Sequence, residues 1–102
     1  MVTAITRFKL PENVNIEEVK RSFLEVAPKF RGVEGLIRKQ FIVSGNGSEG
    51  GGIYLWHDRA SAERFLNEVV VRMIEEAYHV TPTVEFFDTA VVVDNETGEI
   101  LT

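Results

Sequence analysis

The sequence predicts an α+β fold: a ferredoxin-like βαββαβ unit with a four-stranded antiparallel sheet, two copies of which pair sheet to sheet as a dimeric α/β barrel. Three observations predict it. The apolar period switches between 2 and 3.6 in the order strand, helix, strand, strand, helix, strand, which is the split βαβ order. Two helices cover only one face of such a sheet, yet the strands carry large apolar groups on both parities, so the second face needs a cover and a second copy is the simplest one. Finally, 102 residues make a single domain, 1–102.

Each element has its own signal. Val2 to Lys9 is rich in β-branched and aromatic residues and stops before Pro11. Asn15 reads as a helix N-cap with Glu18 at capping-box spacing, and Ile16, Val19, Phe23 and Val26 follow at helical spacing. Pro28 and Gly32 end this helix between Ala27 and Arg31. Leu36 to Ser44 and Ile53 to His57 read as the second and third strands, joined by the pliable, glycine-rich loop Gly45 to Gly52. Asp58 caps a second helix whose stripe is Ala62, Phe65, Leu66, Val69, Met73, Ile74 and Ala77. Pro82 stops it, and Thr83 to Val93 reads as one long fourth strand. Asp94 to Thr102 reads as a turn with a short tail, where Ile100 could seat an extra strand. Ile53 and Leu55 oppose Tyr54 and Trp56 across the third strand, and Phe86, Ala90 and Val92 oppose Phe87, Val91 and Val93 across the fourth.

Composition excludes several classes. A formal net charge of −5 repels phosphate backbones, so no nucleic-acid partner is expected. No apolar run approaches the roughly 20 residues that span a bilayer, and no membrane partner is expected. The charged N-terminal strand is unlike a secretory signal, and the absence of cysteine suits a reducing compartment, so a cytoplasmic location is expected. Without cysteine there is no thiolate metal site; His57 and His79 alone lack a third ligand, so no metal is expected.

Few residues carry chemistry. Gly45-x-Gly47-x-x-Gly50 spells the dinucleotide fingerprint, but a strand follows it where the helix should open, so it reads as a hairpin. His57 and His79 stand at junctions of an element and a loop: solvent-exposed residues, or pocket groups that titrate near neutrality. Tyr54 and Trp56 share one strand face, either as core or interface aromatics or as a slot for a planar ligand with O–H and N–H handles. Arg38 interrupts an apolar strand, either snorkelling at an edge or paired in a cavity, and Arg7 and Lys9 pose the same question on the first strand.

Glu49-Gly50-Gly51-Gly52-Ile53-Tyr54-Leu55-Trp56-His57-Asp58, then Ser61-Ala62 and Phe65-Leu66, resembles the YdhR-like monooxygenases of the dimeric α/β-barrel superfamily, which are related to the antibiotic-biosynthesis monooxygenases. Gly35-Leu36 is similar too, and the likeness is dense over Gly35 to Leu66. The resemblance implies a homodimer with a pocket between sheet and helices in each subunit. Relatives oxidise aromatic, polyketide-type substrates with oxygen and no metal or flavin, and others bind or degrade haem. The expectation is therefore an oxygenase without cofactor acting on a small aromatic. Arg38 would hold the substrate anion, Tyr54 and Trp56 the ring, and His57 or His79 the proton. The alternative is a non-catalytic small-molecule binder, or a haem binder with His57 or His79 on the iron.

Overall fold

Alternation along Val2–Lys9, strand β1, decides which side of the sheet is the inside. Val2, Ala4, Thr6 and Phe8 are buried, while Arg7 and Lys9 reach solvent. The computed structural model describes residues 1–102 and joins β1 in one sheet with β2 (Leu36–Val43), β3 (Glu49–Trp56) and β4 (Thr83–Asp88). The order is β2-β3-β1-β4 with every neighbouring pair antiparallel, which is the ferredoxin-like sheet expected above.

Helices cover one face of it. Helix α1 (Ile16–Val26) opens where the Asn15 side chain accepts the Glu17 N–H at 2.9 Å, and it runs on into a 3₁₀ turn at Ala27–Phe30. Helix α2 (Arg59–Phe65) is capped by Asp58, which accepts the Ser61 N–H at 2.7 Å and the Ser61 hydroxyl at 3.1 Å; these bonds hold the Asp58 carboxyl below its usual range. Helix α3 (Val71–Tyr78) ends at His79, whose backbone is left-handed at φ 58°. Between α2 and α3, Leu66–Val70 makes one π turn. The extra residue rotates the apolar stripe: Val69, expected inside, is 37% exposed, and Val70 takes its place at 2%. The π turn overlaps a run of β-branched residues, Val69 to Val71, which are poor helix formers, and it keeps Leu66 buried.

Two strand boundaries differ from the sequence reading. Strand β3 begins at Glu49, so Gly50, Gly51 and Gly52 lie inside the ladder rather than in a loop. Space explains them. A Cβ on Gly51 would overlap the Thr6 carbonyl oxygen of β1, and one on Gly52 would stand 2.9 Å from the Tyr54 ring. Strand β4 stops at Asp88, not Val93. Its partner β1 offers Val2 opposite Asp88, and the last bond runs from the Thr89 N–H to the Met1 carbonyl. Beyond it, β5 (Val92–Asp94) and β6 (Glu99–Leu101) form a separate hairpin, which includes the strand expected around Ile100.

The side of the sheet away from the helices is bare. Ile5, Ile42, Ile53 and Leu55 are partly exposed there and Phe87 is 49% exposed. No helix in the chain is long and apolar enough to cross a membrane.

Candidate functional site

The glycines of β3 hollow out the helix side of the sheet. Cross-strand pairing puts Gly50 beside Phe8 and Val43, Gly52 beside Thr6 and Phe41, and Tyr54 beside Lys39 and Ala4, all on one face. With no side chain at 50 or 52, the rings of Phe8 and Tyr54 lean into the vacated space. Above them stand Phe23 and Val26 of α1, Phe30 of the 3₁₀ turn, and Val70, Met73 and Ile74 from the π turn and α3. What remains between sheet and helices is a cavity of about 80 Å³, walled chiefly by apolar side chains.

Its polar groups are few. Thr6, Ser22, Lys39, Tyr54 and Tyr78 are the lining residues with a polar side chain. Tyr54 is fully buried and its hydroxyl has no hydrogen-bond partner. Burial pushes this phenol above its ordinary range. Lys39 reaches in from the edge strand β2. Its Nζ lies 3.5 Å from the Phe30 ring centroid, 3.8 Å from Phe41 and 4.6 Å from Tyr54. It makes no ion pair and no hydrogen bond. Desolvation lowers its pKa from 10.5 to about 7, although the ring faces favour the cation.

The expected site residues separate into two groups. Tyr54 lines the cavity, and Trp56 stacks behind it with ring centroids 6.1 Å apart, fully buried, its indole N–H also without a partner. Arg38, His57 and His79 are exposed and lie outside the cavity. Arg38 is on the bare face opposite Leu55, His57 follows the end of β3 with its N–H bonded to the Gly35 carbonyl at 2.8 Å, and His79 terminates α3. Lys39 also lines the cavity, although residue type alone does not single it out. Its signal was parity: position 39 shares a face with Phe41 and Val43, so its side chain must point inward with them.

An unpartnered buried hydroxyl costs roughly 1–3 kcal/mol. Tyr54→Phe should therefore raise stability by about 1 kcal/mol in urea unfolding while weakening any ligand that the hydroxyl holds. A residue kept only for packing would show no such opposition between stability and binding.

Fold and cavity together define a ferredoxin-like α+β domain with a ring-walled cavity between its layers. The family model described as "Putative mono-oxygenase ydhR" matches residues 5–92, and the chain belongs to that family. Among solved structures, SnoaB, a cofactor-independent oxygenase from Streptomyces nogalater, is similar with a TM-score of 0.64 at 19% identity, covering 90% of this chain and 95% of its own. The haem-degrader MhuD from Mycobacterium tuberculosis, solved with two haems in its active site, is similar with a TM-score of 0.70 at 13% identity, over 92% of this chain and 100% of its own. NE2512, a protein of unknown function from Nitrosomonas europaea, has a TM-score of 0.69 at 16% identity, over 89% and 90%. At these identities the likeness establishes the shared fold. No curated protein matches the sequence significantly.

Proposed function

We propose that the cavity binds a small hydroxylated aromatic, polyketide-like in type, and that the protein oxygenates it without a cofactor. The observation that carries this reading is the buried, unpartnered Tyr54 hydroxyl in a chamber walled by the rings of Phe8, Phe23, Phe30 and Phe41. Rings favour a flat apolar ligand, and the hydroxyl supplies one oriented hydrogen bond to its oxygen. Membership of a family described as mono-oxygenases, and a shared fold with an oxygenase named as cofactor-independent, support the reaction class. An electron-rich aromatic anion passes an electron to oxygen by itself; the protein's part is to hold it dry and stabilise the charge.

Size sets a condition. A dry cavity of about 150 Å³ accepts benzene. At about 80 Å³ this one admits a ring only if the flexible stem of Lys39 moves aside. Haem is larger still, and no histidine or cysteine lines the wall. Arg38, His57 and His79 would act on a substrate only if a second surface closed over them.

The bare sheet face suits such a surface, and a second copy of this chain is its proposed cover. Arg38 on β2 and Glu85 on β4 stand on opposite edges of that face, and a two-fold axis along the strands would bring β2 over β4 of the second copy, setting opposite charges together. Burying about 800 Å² per partner is a standard interface. Light scattering should then give twice 11.5 kDa, and Ile53→Asp, at the centre of the face, should give monomers. A mass of 11.5 kDa for the unaltered protein would contradict the pairing.

Oxygen uptake with a panel of anthrone- and quinol-type substrates tests the activity. Uptake that depends on Tyr54 is the expected result. Uptake no greater than that of heat-treated protein across the panel refutes the oxygenase, and tight aromatic retention without uptake would make this a binding protein.

A further inference from the structure

We propose that Lys39 is the proton acceptor of this cavity, and that it selects substrates whose hydroxyl ionises, namely phenols and enols conjugated to a ring. The proposal rests on the aromatic-cavity reading above and assigns the step that the reading leaves open. Geometry carries it. Lys39 is the one basic side chain lining the chamber, held there by three rings instead of a carboxylate. The elements packed around it bring no competing charge. Strand β3 and helix α3 contribute the phenols of Tyr54 and Tyr78, β1 and α1 contribute the hydroxyls of Thr6 and Ser22, and no Asp, Glu, Arg or His lines the wall.

A half-buried amine with no counter-ion is neutral in a large fraction of molecules near pH 7, because desolvation has lowered its pKa that far. A neutral amine and a neutral phenol share a dry chamber at much lower desolvation cost than two separate ions. Once they are together, the substrate O–H bond breaks and an N–H bond forms at Nζ. The electron pair stays on the substrate oxygen and spreads into its ring, which is the electron-rich form that reacts with oxygen. The ammonium pairs with the anion, while the Tyr54 O–H donates to the same oxygen. A ring without an ionisable hydroxyl would bind and go no further.

Two probes separate this step from the cavity itself: 3-nitrophenol, whose anion has its own absorption band, and nitrobenzene, which cannot ionise. Both are titrated into the unaltered protein, Lys39→Met and Lys39→Arg at a pH just above neutrality, where free 3-nitrophenol is mostly un-ionised. The unaltered protein should bind both probes and show the anion band, the bound phenol being at least about tenfold more acidic than free. Fewer protons than anions should be released to the buffer, because every Lys39 that was neutral keeps the proton it takes. Lys39→Met should bind nitrobenzene within about twofold of the unaltered protein and hold the phenol un-ionised. Lys39→Arg should show the band with proton release, since a guanidinium is already charged. If Lys39→Met does not fold, the Arg comparison decides by proton release alone. An anion band unchanged in Lys39→Met, or equal proton release from the unaltered protein and Lys39→Arg, overturns the proposal and leaves the cavity reading standing. Failure of both probes to bind removes the cavity reading and this step with it.

Discussion

Lys39→Met should make the protein more stable, by roughly 1–3 kcal/mol at or below neutral pH once the lost contacts with three aromatic rings are set against the relieved desolvation. The folded pKa of about 7 lies below the unfolded value of 10.5, so between them the unfolded chain binds more protons. Stability of the unaltered protein therefore rises with pH through that window. The penalty is fully present below about 7 and is gone above 10.5. Methionine fills a similar volume and does not titrate. The advantage of Lys39→Met should accordingly be largest in acid and neutral buffer and fade towards pH 10.5, as read from urea midpoints taken across pH. A lysine kept for stability would give the opposite sign. The expected sign means that Lys39 is retained at a cost, as functional groups commonly are.

Gly51→Ala should be among the most damaging single changes, at roughly 3 kcal/mol or more. Its Cβ would overlap the Thr6 carbonyl oxygen, which is backbone of the adjacent central strand and cannot rotate away. Relief requires β1 and β3 to part where both border the cavity, so the loss should appear in stability and in ligand binding together. Gly45→Ala, in the turn before β3 with open space around it, is the control and should change the urea midpoint little. Equal effects at 45 and 51 would mean that chain flexibility, not space, explains the glycines.

How much of this was legible in the sequence follows from the range of the forces involved. The order of strands and helices was legible, and so was the sharing of one strand face by Tyr54 and Trp56, because side-chain period is a local property; which side of the sheet that face turns to was not. The capping roles of Asn15 and Asp58 were legible for the same reason; Asn15 caps through the Glu17 N–H. What was missed is non-local. Gly50 to Gly52 read as a loop from composition, but the groups that exclude a side chain there, the Thr6 carbonyl and the Phe8 and Tyr54 rings, come largely from another strand. The end of β4 is set by where β1 begins, not by its own apolar run. Val69 and Val70 changed places through a π turn that the period of 3.6 does not contain. Lys39, between Arg38 and Gln40, resembles a solvated stretch, and only its parity with Phe41 marks it. Arg38, His57 and His79 drew attention by residue type, which says nothing of the face or the chamber a side chain reaches.

The most direct measurement is a crystal structure of the protein soaked with 3-nitrophenol. The ring should lie between Phe30, Phe41 and α3, with Lys39 displaced from its present seat and the phenol oxygen within hydrogen-bond distance of both the Tyr54 hydroxyl and Lys39 Nζ. A chamber still closed around Lys39, with the probe only on the outer surface, would contradict it.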